Sequence, residues 1–75
     1  MRDIKIGNRY RHFKGHLYEV ISIAKDCEYL KEMVVYRNVE TGEDWVREKQ
    51  EFLSEVDHNK YPDVKQKYRF ELIEK

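Results

Sequence analysis

The chain has 75 residues and no net charge, with 40% charged and 40% hydrophobic side chains, six Tyr, three Phe and one Trp. That length supports one small domain, residues 1–75, with little core to spare, and the ring content excludes a disordered chain. The basic excess of a typical nucleic-acid binder is missing, no apolar run reaches a membrane span or a signal-peptide core, and the lone Cys27 excludes an intrachain disulfide. A cytoplasmic protein is the expectation.

Charge is spread unevenly. Residues 1–16 carry five basic side chains and one acidic, residues 40–57 two basic and seven acidic, and residues 60–75 five basic and three acidic. A solvated skin of mixed sign is the plain reading, and only a local basic patch remains for an anionic partner.

The polar lead-in, residues 1–6, holds two Ile that add a short strand or lie over the sheet, and Gly7-Asn8 is a turn signal. Tyr10-Arg11-His12-Phe13 and Leu17-Tyr18-Glu19-Val20 then flank Lys14-Gly15, which reads as a hairpin reversal with Gly15 at positive φ. In the second strand Tyr18, Val20, Ser22 and Ala24 share one face, and Leu17, Glu19, Ile21 and Ile23 the other. Apolar residues on both faces suit a central strand. Residues 25–29 form a polar connection.

Residues 30–39 read as the third strand, centred on Met33-Val34-Val35-Tyr36, with a turn at residues 40–43 placed by Gly42. Trp45-Val46-Arg47 is a short fourth strand, antiparallel to the third. Across residues 48–56 the period changes: Phe52, Leu53 and Val56 lie at helical spacing, which predicts one or two helical turns as a cap. Residues 57–60 form a loop, and Pro62 holds Tyr61 out of the helical region. Residues 64–73 alternate cleanly, with Val64, Gln66, Tyr68, Phe70 and Leu72 on one face, and read as a closing strand. The fold class is mainly all-β: a small SH3-like barrel or a strongly bent antiparallel sheet of about five strands, with a short helical turn near residues 48–56.

Tyr10-Arg11-His12-Phe13-Lys14-Gly15, Tyr18-Glu19-Val20, Val34-Val35-Tyr36, Trp45-Val46-Arg47 and Phe52 occur in that order. This ordered set resembles the bacterial family catalogued as domain of unknown function 1653, over roughly residues 7–56, and Tyr68-Arg69-Phe70 is similar to that family's last strand. Glu48 stands where the family usually has Pro, and Glu51 where it tends to have Met, so the cap differs in detail here. The resemblance implies a compact β-rich fold like the SH3-like barrels and brings no established activity; fold alone does not license one.

Catalytic chemistry finds little support. His12 and His16 are four apart, but across a hairpin rather than on a helix, and no Glu or Cys completes a ligand set. Cys27 lacks an evident base, and the carboxylates at Glu43, Asp44, Glu48, Glu51 and Glu55 lack the buried setting that acid–base work needs. No enzyme, metal or cofactor is expected.

What remains is a recognition surface of Tyr10, Arg11, His12, Lys14, Tyr36, Trp45 and Arg47. If Val46 points into the core, Trp45 and Arg47 share the opposite face, with Tyr36 across the turn. Aromatic rings beside Arg suit peptide, nucleobase or stacked-cation recognition. The competing reading buries Trp45 as the main core residue and pairs Arg47 with a carboxylate such as Glu28. The expected function is a non-enzymatic binding module with a protein or peptide partner, as a monomer or weak homodimer. RNA or single-stranded DNA is the second reading, through Arg9, Arg11, Lys14 and the aromatic face, and a small enzyme or metal protein the third. A membrane partner is not expected.

Overall fold

The Lys14-Gly15 reversal is built as a four-residue loop between strands β1 (Arg9–His12) and β2 (Leu17–Lys25) in a computed structural model that describes residues 3–73. The Gly15 N–H donates to the His12 carbonyl at 2.8 Å, and the His12 N–H donates to the His16 carbonyl at 2.8 Å. Gly15 has φ = 100°. No neighbouring atom lies within 4 Å of where a Cβ would sit. A substitution there therefore meets backbone strain and no clash. Gly15→Val is expected to lower stability by about 1–2 kcal/mol in denaturant unfolding, and unchanged stability would remove the tight-turn account.

The second hairpin joins β3 (Glu32–Asn38) to β4 (Asp44–Glu48). Asn38 organises its turn: its side-chain oxygen accepts from the Glu40 and Thr41 N–H groups at 2.8 and 3.1 Å, and Gly42 takes φ = 76°. Arg37 and Asp44 pair across the strands at 2.6 Å in full solvent, where such a contact adds little.

Strand β2 is central, as its apolar faces suggest, and it holds a β-bulge. It pairs Val20 with Tyr36 but Ser22 with Val35 and Ile23 with Val34, leaving Ile21 as the extra residue. The expected alternation therefore breaks. Val20 faces inward, but beyond the bulge Ile23 takes the inner side in place of Ser22 and Ala24.

The cap is a single turn, α1 (Lys49–Phe52), shorter than residues 48–56. Beyond it the chain reverses, and residues 54–56 run beside residues 67–69: the Arg69 N–H donates to the Ser54 carbonyl and the Val56 N–H to the Lys67 carbonyl, each at 2.9 Å. Those bonds turn residues 67–69 toward residues 54–56, although the Arg69 carbonyl still accepts the Phe13 N–H at 3.0 Å, and the last strand, β5, covers only Phe70–Ile73 and not residues 64–73. The Gln66 side chain fills in, donating to the Arg11 and Tyr68 carbonyls at 2.9 Å each.

The strands form one antiparallel sheet in the order β4-β3-β2-β1-β5. It is strongly bent and open, with β4 and β5 as its edges. The barrel alternative and the closing role of the last strand are thereby corrected, because β5 pairs with β1 and never reaches β4. The buried core lies on the concave face: Tyr10, Val20, Val34, Tyr36, Phe52 and Phe70, with Ile4, Tyr18, Leu53 and Leu72 packed around them. Phe52 supplies the cap's contribution, stacked on Phe70 with ring centroids 4.1 Å apart. Met1 and Arg2 of the lead-in lie outside the described residues. No helix among those described is long and apolar enough to cross a membrane.

Candidate functional site

Directly opposed residues of an antiparallel pair share a face. The pairings Tyr36 with Trp45 and Val34 with Arg47 therefore put Trp45 and Arg47 on the concave side with the core. Val46 points the other way and is 61% exposed, so the premise that it enters the core is corrected. Trp45 is 49% exposed, which also removes the reading of Trp45 as the main core residue. Tyr10, Tyr36, Phe52 and Phe70 fill that role: Tyr10 and Tyr36 stand on inner strands, and Phe52 of α1 and Phe70 of β5 pack against their neighbouring rings.

The cap covers only part of the concave face. The remainder is an open cleft of about 440 Å³. Its floor is made by His12, Tyr18, Tyr36 and Phe70. Trp45 and Arg47 of β4 form one wall. The hairpin tip (Phe13, Lys14, His16), the loop residues Asp57, Lys60 and Tyr61, and Arg69 form the rest. Ring packing ties these pieces together: Phe13 lies 5.0 Å from Tyr61, and Tyr18 lies 5.1 Å from Tyr36 between centroids.

Four cations meet one carboxylate here. The Lys14 ammonium sits 5.8 Å from the Tyr61 ring centre and the Arg47 guanidinium 5.9 Å from that of Phe70. Arg47 donates to the Tyr36 hydroxyl at 3.3 Å and reaches Glu51, not Glu28, at 3.7 Å. Arg69 donates to the Ser54 hydroxyl at 3.2 Å. Among the described residues Lys14, Lys60 and Arg69 have no carboxylate within ion-pair distance. The single lining carboxylate, Asp57, is engaged by the Asn59 and Lys60 backbone N–H groups. With Asp57 in the lining and Glu51 beside Arg47, the cleft keeps a net excess of positive charge.

His12 sits at its floor. Burial first, then the charges of Arg47, Arg69, Lys14 and His16, push its imidazole down from the ordinary 6.5 to about 4. Its Nδ1 accepts the Lys14 N–H at 3.1 Å, so the neutral ring carries its proton on Nε2. The unfolded chain takes up a proton at this residue below about pH 6.5 that the folded chain refuses until about pH 4. Stability is therefore present above that window and lost as pH falls through it. With solvent screening part of the effect, the loss is about 1–2 kcal/mol. Subtracting the pH dependence of a His12→Gln variant from that of the parent in urea unfolding isolates it. Parallel curves for the two proteins would show that His12 titrates normally.

Of the seven residues singled out from the sequence, His12, Lys14, Tyr36, Trp45 and Arg47 come together in the cleft. Tyr10 does not: it is 2% exposed in the core, its hydroxyl accepting the Lys5 N–H at 3.0 Å. Arg11 does not either, since it alternates with Tyr10 and His12 onto the convex face. The sequence reading missed Phe13, His16, Tyr18, Lys60, Tyr61, Arg69 and Phe70. The basic excess of both chain ends was the available signal, and the fold brings three of those cations, Lys14, Lys60 and Arg69, to one place.

A family model described as "Protein of unknown function (DUF1653)" matches residues 8–72. The chain belongs to this family. No curated protein and no solved structure matches it. Among the residues through which it resembles DUF1653, Tyr10, Val20, Val34 and Phe52 fill the core. His12, Phe13, Lys14, Tyr18, Tyr36, Trp45 and Arg47 line the cleft. Arg11, Val35 and Val46 alternate onto the convex face.

Proposed function

We propose that this DUF1653 protein is a non-catalytic, cytoplasmic binding module that takes an anionic ligand in the concave cleft. The observation that carries the reading is the set of four cations beside exposed ring faces, against one lining carboxylate, Asp57, and one outside the lining, Glu51 beside Arg47. Charge of one sign held in a concave site raises the local concentration of the opposite ion and speeds its capture. Binding is preferred to catalysis because the two histidines with ring hydrogen bonds, His12 and His58, use backbone partners, Lys14 and Gln66, and not an acid or nucleophile. The cleft is also open, so it offers no closed, water-free chamber for a reaction.

The chain's only Trp reports on the site. Titration with tripolyphosphate is expected to change Trp45 fluorescence at low ionic strength and to lose much of that response as salt is added. Arg47→Ala is expected to weaken the response at least about tenfold while leaving the protein folded, at a cost of about 1–2 kcal/mol, since the guanidinium also donates to the Tyr36 hydroxyl. No response, or one that Arg47→Ala and Lys14→Glu leave intact, would overturn the reading.

A further inference from the structure

The reading of the cleft as an anion site can be taken to a ligand class. Resting on it, we propose that the ligand is a nucleotide unit, a planar base with its phosphate, either free or as one residue of a single strand.

Three features of the cleft point there. First, rings and cations are interleaved. Trp45 offers an exposed indole and Tyr61 a ring to the same lining as Arg47 and Arg69, with the Arg47 guanidinium over the Phe70 ring. An anion alone needs no ring face, and an apolar ligand needs no cations; a base joined to a phosphate uses both. Second, the neutral His12 ring holds its proton on Nε2, with Nδ1 spent on the Lys14 N–H. Among the described residues no protein group accepts from Nε2, so one donor stays available on the floor for a base carbonyl, a ring nitrogen or a phosphate oxygen. Near pH 7 the ring is neutral, so Nδ1 keeps its bond from the Lys14 N–H and the proton stays on Nε2. Third, the space suits one unit and little more: about 440 Å³, open on one side so that a strand can enter and leave.

An acidic peptide fits less well. Peptides are commonly held through backbone hydrogen bonds along a sheet edge, with pockets for alternate side chains. Here the floor is the inner face of paired strands, whose backbone groups are already used in the β1–β2, β1–β5 and β3–β4 ladders. The recognition groups are rings and cations.

The experiment titrates the full chain with AMP, UMP, the RNA octamers A8 and U8, inorganic pyrophosphate and hexaglutamate, read by Trp45 fluorescence and by backbone amide shifts. Base-bearing probes are expected to bind at least about tenfold more tightly than pyrophosphate, which has no base and carries more charge than AMP or UMP. Trp45→Ala is expected to erase that advantage by weakening the base-bearing probes far more than pyrophosphate, Trp45→Phe to retain much of it, and Arg47→Ala to weaken both kinds of probe. Because Trp45 is absent from its own variants, those are read by amide shifts, and thermal melts confirm that they fold. Octamers that bind about tenfold or more above AMP and UMP, with an affinity falling as salt rises, would identify a single strand as the source. Equal affinity for mononucleotides and octamers would identify a free nucleotide. Pyrophosphate binding as well as AMP would overturn the nucleotide assignment and leave the anion site standing, as would hexaglutamate outcompeting the octamers. Silence from every probe would remove both.

Discussion

Phe52→Ala is expected to lower stability by about 3–5 kcal/mol, and in a domain of this size to leave little folded protein at physiological temperature. The ring is fully buried. It stacks on Phe70 and meets Tyr10 and Tyr36 edge-on or tilted, at 5.3 and 5.6 Å between centroids. One helical turn has almost no stability of its own, so this ring is what seats α1 on the concave face. Urea unfolding measures the loss, and Glu51→Ala, at an exposed position of the same turn, is the control expected to change little. A cost below about 1 kcal/mol would mean that the cap does not hold the bend closed.

Phe70→Ala is expected to be as costly, again about 3–5 kcal/mol, for a partly different reason. Phe70 belongs to β5, an edge strand of four residues, and its ring also packs on His12, Tyr18 and Tyr36. Without it the cleft opens directly into the core, and the Arg47 guanidinium loses the ring beneath it. Since Phe52 and Phe70 are stacked, the double variant should cost less than the two singles together, by about 0.5–1.5 kcal/mol. Strict additivity would show that the stack is mere proximity. Phe70→Leu, which keeps most of the buried volume, should retain much of the stability.

Where the information for a feature is local, the sequence alone determined it. Gly15 and Gly42 marked turns because only a residue without Cβ sits easily at their φ values, and the turn chemistry acts within four residues. The composition excluded an intrachain disulfide, the strand periods identified four of the strands, and the change of period after residue 47 identified the cap with Phe52 as its buried residue. Alternation also put Trp45 and Arg47 on one face.

What alternation leaves open is which face is inside, and only the tertiary structure decided that. Val46 and Trp45 differ too little in local preference to choose, and the choice came from Tyr36 and Val34 across the ladder, which carry Trp45 and Arg47 inward with them. The bulge at Ile21 has the same origin: it turns Ile23 to the face of Val20 and Val34, at the expense of a strict period of two. Residues 64–69 alternate as well as any strand does, yet residues 67–69 bond to residues 54–56, because that pairing lays Val56 into the core. The cleft itself is the least local feature. Lys14, Arg47, Lys60 and Arg69 come from four separate stretches, and they become one charged site because the sheet bends and α1 covers only part of its concave face.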